Sequence, residues 1–299
     1  MDKTCSLSDA VKSIPSGSHV SLSGFAITRC NIAFAAEIIR QNIHDLTISQ
    51  CVGALDTDLL VGAKMVKHVI YGGGSLDRFG RLARVNQAIE EKSIIADEFS
   101  SLSVTFRYLA GALGIPFIPI RSIYGSDLYK KLQEAGSEDI ATMTDPFTGE
   151  TWLVLKPLRP DVAVVQVQAA DQEGNAWLKG PRWDNAEQVR AAERTIVITE
   201  KIVSTEEIRQ YPEQIVIPGL YVSHVVELPF SAHPSAVFGE YDYDANHFKM
   251  YAKAALTKEG FQEYLQKYIL EPKSHEEYLK LIGGEKRLEQ LKADKTLGY

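Results

Sequence analysis

Cysteine is scarce in this 299-residue chain: Cys5, Cys30 and Cys51 are odd in number, widely spaced and form no Cys-x-x-Cys pair. That excludes a disulfide framework or a zinc site as the organising feature and points to a reducing compartment. No apolar run approaches the roughly 20 residues of a membrane span. The opening Met-Asp-Lys-Thr-Cys-Ser lacks the basic and then apolar pattern of a secretory signal. The expectation is a cytoplasmic protein with no membrane partner. Clustered positive charge is missing as well: 32 Lys and Arg against 39 Asp and Glu leave a net charge of −7, and the basic residues are scattered. Nucleic acid, which demands grouped cations, is not an expected partner. Familiar cofactor and nucleophile signatures are also absent. Gly72-Gly73-Gly74 fails G-x-G-x-x-G because Asp77 occupies the last glycine position. No phosphate-binding G-x-x-x-x-G-K-[ST], no G-x-S-x-G elbow and no H-E-x-x-H occurs, which removes support for nucleotide triphosphatase, hydrolase-elbow and metalloprotease templates.

What is present is alternation. Ser6-Leu7-Ser8-Asp9 has the form of a helix start with Ser6 as N-cap, and Pro15-Ser16-Gly17 stops it. Residues 19–24 read as a strand. Ile32, Ala35, Ala36 and Ile39 recur at the spacing of an amphipathic helix. Residues 46–49 form a second strand with 51–54 as its exit loop, and 56–63 read as helical. Residues 66–71 then run, as a buried central strand, into Gly72-Gly73-Gly74-Ser75, a loop almost free of side chains. A helix near 82–89, a strand at 93–96, a helix over 101–113 and an apolar stretch at 115–119 keep the rhythm. Further strands are expected at 161–168, 195–199, 214–217 and 222–228, with a hairpin turn at 171–175 and a helix at 185–192. An apolar content of 45% with 24% charged residues supports a sizeable core. The pattern predicts one α/β domain over 1–299, an open, mainly parallel sheet flanked by helices. A small irregular subdomain or flap interrupts it over 125–156, and a helical tail closes it over 245–299.

Ligands of open α/β sheets bind beyond the carboxyl ends of the strands, so Gly72 to Ser75 lead the candidates. The competing reading is a glycine-rich turn that only connects. Asp97 and Glu98 follow a strand end, which suits a catalytic carboxylate and equally suits an acid-rich helix start. His233, before Pro234, reads as structural rather than as a base. Asp242 and Asp244 read as capping or turn groups, and no metal is expected, because a cation site wants more oxygen ligands nearby.

The stretch Ser16-Gly17-Ser18-His19-Val20-Ser21-Leu22-Ser23-Gly24-Phe25 resembles the first signature of family I coenzyme A transferases. There, Asp/Asn-Gly precedes an apolar strand ending Gly-Gly-Phe; Ser16 and Ser23 replace the acid and the first glycine here. Order and spacing along nearly the whole chain are similar to the α (A) subunits of the glutaconate CoA-transferase type. Glu37-Ile38-Ile39-Arg40-Gln41, Asp45-Leu46-Thr47, Leu113 to Pro119, Asp145-Pro146-Phe147, Ala232 to Ser235, Gly239 to Asp244 and Leu297-Gly298-Tyr299 carry that similarity. The resemblance implies a heteromer with the active site between α and β (B) subunits. A glutamate of the B subunit attacks an acyl-CoA thioester and passes through an anhydride to a glutamyl-CoA. Coenzyme A is then a substrate, a carboxylic acid the acceptor, and no cofactor is held permanently. On this chain the resemblance implies a substrate-binding wall at Gly72, Gly73, Gly74 and Ser75, flanked by Gly24, Phe25 and Gly53. Arg29 is a candidate clamp for a dicarboxylate, with a surface salt bridge as the alternative. Two members with the same α-subunit character leave other chemistry open. One is a decarboxylase of a branched glutaconyl-CoA whose partner carries a cysteine. The other is a hydrolase that opens a carbon ring of a steroid-derived CoA thioester with an acid of its α-like chain. Glu98 falls close to such an acid, and Tyr71-Gly72-x-x-Ser75-Leu76-Asp77 resembles that hydrolase too. A non-catalytic scaffold that binds acyl-CoA and its partner is the third reading.

Overall fold

Strands and helices alternate from the N-terminus, and the helical crossovers lay β1 to β4 parallel to one another. The computed structural model describes residues 1–294 and 296–298. Its first half runs α1 (Leu7–Lys12), β1 (His19–Leu22), α2 (Ile32–Arg40), β2 (Leu46–Gln50), α3 (Leu55–Gly62), β3 (Val66–Tyr71), α4 (Ala83–Glu90), β4 (Ile95–Glu98) and α5 (Ser101–Leu113). An insertion follows: β5 (Ile118–Ile120), α6 (Asp127–Glu134), β6 (Ile140–Thr144) and β7 (Thr151–Leu155). The chain then returns through β8 (Val162–Ala170), β9 (Ala176–Trp177), α7 (Asn185–Ala191), β10 (Arg194–Ile202), α8 (Thr205–Arg209), β11 (Ile215–Ile217) and β12 (Val222–Glu227). Four helices close it: α9 (Ala245–Ala254), α10 (Lys258–Leu265), α11 (His275–Leu281) and α12 (Gly284–Leu291).

The expected open parallel sheet is present. Its parallel strands lie in the order β12-β10-β8-β1-β2-β3-β4, and the short antiparallel pair β9–β11 extends it beside the far end of β8. Strand order reverses between β1 and β8, which makes that junction the topological switch point. β3, expected at the centre, is second from the edge, because β8 and β10 add on the other side of β1. Every residue of β8 is buried, as a strand covered on both faces requires. The turn expected at 171–175 joins β8 to β9, with Asp171 Oδ1 accepting from the N–H groups of Glu173 (3.0 Å) and Asn175 (2.9 Å).

Residues 115–119 depart from the expected rhythm. β5 leaves the main sheet and pairs antiparallel with β7, which also pairs with β6. Pro116 and Pro119 explain this, since a strand inside a sheet cannot spare backbone donors. On one face of the main sheet, Val20, Leu22, Ile48, Val69 and Val164 pack with Phe34, Ile38, Leu59, Phe248 and Phe261 of the helices. On the other face, α5 and the insertion enclose Phe99, Val104, Tyr108, Leu153 and Leu155. In the tail, Phe261, Tyr264 and Leu265 are buried, and Tyr268 packs against the same cluster. Lys295, and Tyr299 of Leu297-Gly298-Tyr299, lie outside the described residues.

Three successive helices end alike. Asn42, Lys64 and Lys92 take left-handed φ of 54°, 64° and 54°, so the next N–H reaches back to the last turn. These bonds are Ile43 N to Ile38 O (3.1 Å), Met65 N to Leu60 O (2.9 Å) and Ser93 N to Ala88 O (2.9 Å). This cap satisfies orphan carbonyls, and each sits at the amino-terminal side of the sheet.

Asp58 of α3 locks the helical layer. It supplies the cap that Leu82 cannot, accepting from Arg84 and Val85 N–H at 2.9 Å each with Oδ1, while Oδ2 accepts from Tyr251 OH at 2.7 Å. Burial raises its carboxyl to about 6 despite these donors. Asp58→Ala is expected to destabilise the fold by roughly 3–5 kcal/mol, against about 1 kcal/mol for Tyr251→Phe, because the first change orphans several buried donors. Urea denaturation of both variants measures the difference.

Candidate active site

Parallel strands finish on one side of a sheet, so their exit loops are forced together. Here pairing continues past the ends of β1, β2 and β3, with bridges joining Phe25 to Val52 and Gly53 to Gly74. Gly53 N–H donates to Gly73 O at 2.9 Å, and Ser75 N–H donates to Gly53 O at 3.0 Å. Gly24, Phe25, Gly53 and the 72–75 loop therefore share one rim.

The loop's glycines are there for different reasons. A Cβ on Gly72 would lie 2.4 Å from the Cys51 carbonyl oxygen and 2.5 Å from Ser101 Cα, so only bare backbone passes between β2's exit and the start of α5. Gly73 takes φ +87° and faces open space. Gly74 is exposed, while Gly72, Gly73 and Ser75 are half-buried. The N–H groups of Gly73 and Gly74 have no acceptor among the described residues. The Ser75 hydroxyl is engaged within its own loop, accepting from Asp77 N–H at 2.8 Å.

Arg29 is not on the surface, where a salt bridge was the alternative to a clamp. It is fully buried. It donates to the carbonyls of Lys179 (3.3 Å) and Pro181 (2.5 Å) and to Asn185 Oδ1 (3.0 Å). Its guanidinium lies 4.8 Å from the Trp183 ring centre, and Trp183 stacks on Phe25 at 5.1 Å. With no exposed surface, it holds the 179–185 loop against the exit of β1.

Glu98 ends β4 opposite Tyr71. It is half-buried and accepts no hydrogen bond among the described residues. Burial, with Glu98 adding to it, pushes the Tyr71 hydroxyl up to about 12. Asp97 is engaged by His68 Nε2 at 2.8 Å. His233 is structural, as expected: its Nδ1 meets Tyr278 OH at 2.7 Å, deep in the fold. Asp244 caps α9, accepting from Asn246 and His247 N–H at 3.0 Å.

Sequence reasoning overlooked Asp184. It is 1% exposed, just ahead of α7, and neither carboxylate oxygen has a partner within ordinary hydrogen-bond geometry among the described residues; the Cys51 thiol and its own amide are the donors near it. Burial lifts it to about 7. Cys51, close enough to interact with it electrostatically, is raised to about 12 by burial and then by Asp184. A buried acid so poorly supplied with donors at strand exits is a common mark of a functional site. No local motif announces it, because its environment comes from β2's exit and α5.

Residues 4–228 match the coenzyme A transferase family. The chain belongs to that family. As a family member it is 34% identical to the α (A) chain of glutaconate CoA-transferase from Acidaminococcus fermentans, over 100% of this chain and 97% of that one. The crystal structure of that organism's glutaconate coenzyme A-transferase matches with a TM-score of 0.93 and 32% identity, over 99% of this chain and 98% of the other. The cholesterol ring-cleaving hydrolase IpdA subunit of Mycobacterium tuberculosis is 31% identical, covering 90% and 93%. The decarboxylase AibA/AibB gives a TM-score of 0.77 at 28% identity, covering 89% and 100%. The chain spans only 64% of a longer uncharacterized protein of Archaeoglobus fulgidus, to which it is 36% identical over 97% of its own length.

Gly72→Ala is expected to cost roughly 2–3 kcal/mol through overpacking, and Gly73→Ala about 1–2 kcal/mol through left-handed strain alone; chemical denaturation separates them. Asp184 generates a pH signature. Its folded value is raised, so the stability it permits is intact below its ordinary 3.8 and is lost as pH climbs through about 7. Asp184→Asn, which keeps a neutral side chain, should match the parent near pH 4. At pH 8 it should be more stable by a few kcal/mol, at ~1.4 kcal/mol per pKa unit. Melting curves across that range test this.

Proposed function

We propose that this chain is the α (A) member of a two-chain CoA-transferase that moves CoA between an acyl-CoA and a small carboxylic acid, with dicarboxylates among the acceptors. The observation that carries the reading is the rim itself: backbone at Gly72 to Ser75, beside Gly24, Phe25 and Gly53, with two consecutive N–H groups lacking an acceptor among the described residues. In this reading a glutamate of the B subunit is the nucleophile. Its carboxylate oxygen bonds to the thioester carbon, the carbon–sulfur bond breaks, and CoA leaves as thiolate. That thiolate then attacks the resulting anhydride at the glutamyl carbonyl, giving glutamyl-CoA and releasing the first acid. Each tetrahedral intermediate carries an oxyanion, which preorganised amides stabilise. The Gly73 and Gly74 N–H groups are suited to that task. Coenzyme A is a substrate, no permanent cofactor is needed, and the three free thiols suit a reducing cytoplasm.

Glu98 favours a second reading. An unpartnered, half-buried carboxylate at a strand end beside the glycine loop is placed to act as an acid or base in CoA-thioester ring opening, with water in place of an acceptor acid.

The assembled pair should consume acyl-CoA only when an acceptor carboxylate is present, and the isolated chain should show no turnover. Glu98→Gln in the complex should leave transfer within about threefold of the parent. Acid-independent hydrolysis that Glu98→Gln abolishes would instead establish the hydrolase reading.

A further inference from the structure

A pocket of about 270 Å³ lies away from the strand-end rim, between α2, the chain following β12, and α11. Its walls are apolar, from Ile32, Ala33, Ala36, Leu228 and Ile269. Ser231, His233 and Tyr278 supply polar atoms deeper in, but these are already partnered. Ser231 Oγ donates to Gln166 Oε1 at 2.8 Å, and His233 contacts Tyr278 OH at 2.7 Å and Asp244 Oδ2 at 3.3 Å. Burial holds His233 below its ordinary value and His275 at about 4, so neither ring brings charge at neutral pH.

The remaining charges are Glu37, Arg40 and Lys273. Glu37 and Arg40 pair with each other at 3.3 Å, and Arg40 Nε donates to Ile269 O at 2.8 Å. The Lys273 ammonium is exposed and has no partner among the described residues. One spare positive charge beside an apolar interior complements an apolar tail with a single negative head. The volume falls just below the ~300–1,000 Å³ of drug-sized sites, so the tail is short.

We propose that this pocket binds a short-chain monocarboxylate, its head at Lys273 and its hydrocarbon between Ile32, Leu228 and Ile269. The site is independent of the transferase reading, since it lies wholly within this chain. It is nevertheless wired to the rim. Ser235 Oγ accepts from Cys30 N–H at 2.9 Å, and Ala236 O accepts from Arg29 N–H at 2.8 Å. A ligand that steadies residues 229–237 therefore steadies the loop bearing Gly24 and Phe25.

Calorimetry of the full chain with hexanoate, paired with hydrogen exchange, tests the site. Saturable binding is expected, with slowed exchange at 229–237 and 273–278. Lys273→Glu should weaken binding by about tenfold or more, and hexanol should bind less well than hexanoate. Ala36→Leu, which fills the cavity, should abolish binding without lowering the melting temperature. No saturable binding at millimolar hexanoate, binding untouched by Lys273→Glu, or binding that survives Ala36→Leu would each overturn the proposal.

Discussion

The approach of Gly72 to the start of α5 is the contact on which the rim depends. At that point the exit of β3 slips between the Cys51 carbonyl and the Ser101 backbone, and a single added carbon would force one of them to shift. α5 in turn carries Arg107, which donates to the Lys156 carbonyl at 2.8 Å and pairs with Asp139. One side-chain-free crossing therefore sets the sheet, the helix and the inserted three-stranded unit in register. It also leaves the next two amides, of Gly73 and Gly74, without an acceptor among the described residues.

Buried acids divide into two kinds. Asp58 is surrounded by donors. So is Glu200, which accepts from Gln166, Phe230 N–H and Tyr241 OH at 2.7–2.8 Å even though burial raises it to about 8. Those carboxyls organise their neighbours and are satisfied by them. Asp184 is different: it carries the desolvation cost with only the Cys51 thiol and its own amide as nearby donors in return. It lies beside the exit of β2, on the side of the sheet where the glycine loop sits.

Much of the fold could be read from periodicity. The 3.6-residue repeat of α2 and the unbroken apolar run of β8 report helix and buried strand directly, and the strand-to-glycine transition at Tyr71–Gly72 marked the rim. Side-chain environment was less legible. Arg29 read as either a dicarboxylate clamp or a surface salt bridge, because nothing nearby in sequence shows that residues 179–185 fold over it. Asp184 passed unnoticed for the same reason, its neighbours being far away in the chain. The position of β3 was misread because strand order depends on where β8 returns, a long-range choice that local pattern does not encode. Prolines 116 and 119 did carry a signal, that of a strand unable to lie inside a sheet.

The helix ends at Asn42, Lys64 and Lys92 lie on the pole opposite the rim. A lysine held in a left-handed turn costs on the order of 1 kcal/mol relative to glycine, and two of the three caps bear that cost. Some stability is thus forgone at the amino-terminal side of the sheet, away from the glycine rim. Glycine at either lysine would recover it without touching the strand-exit loops.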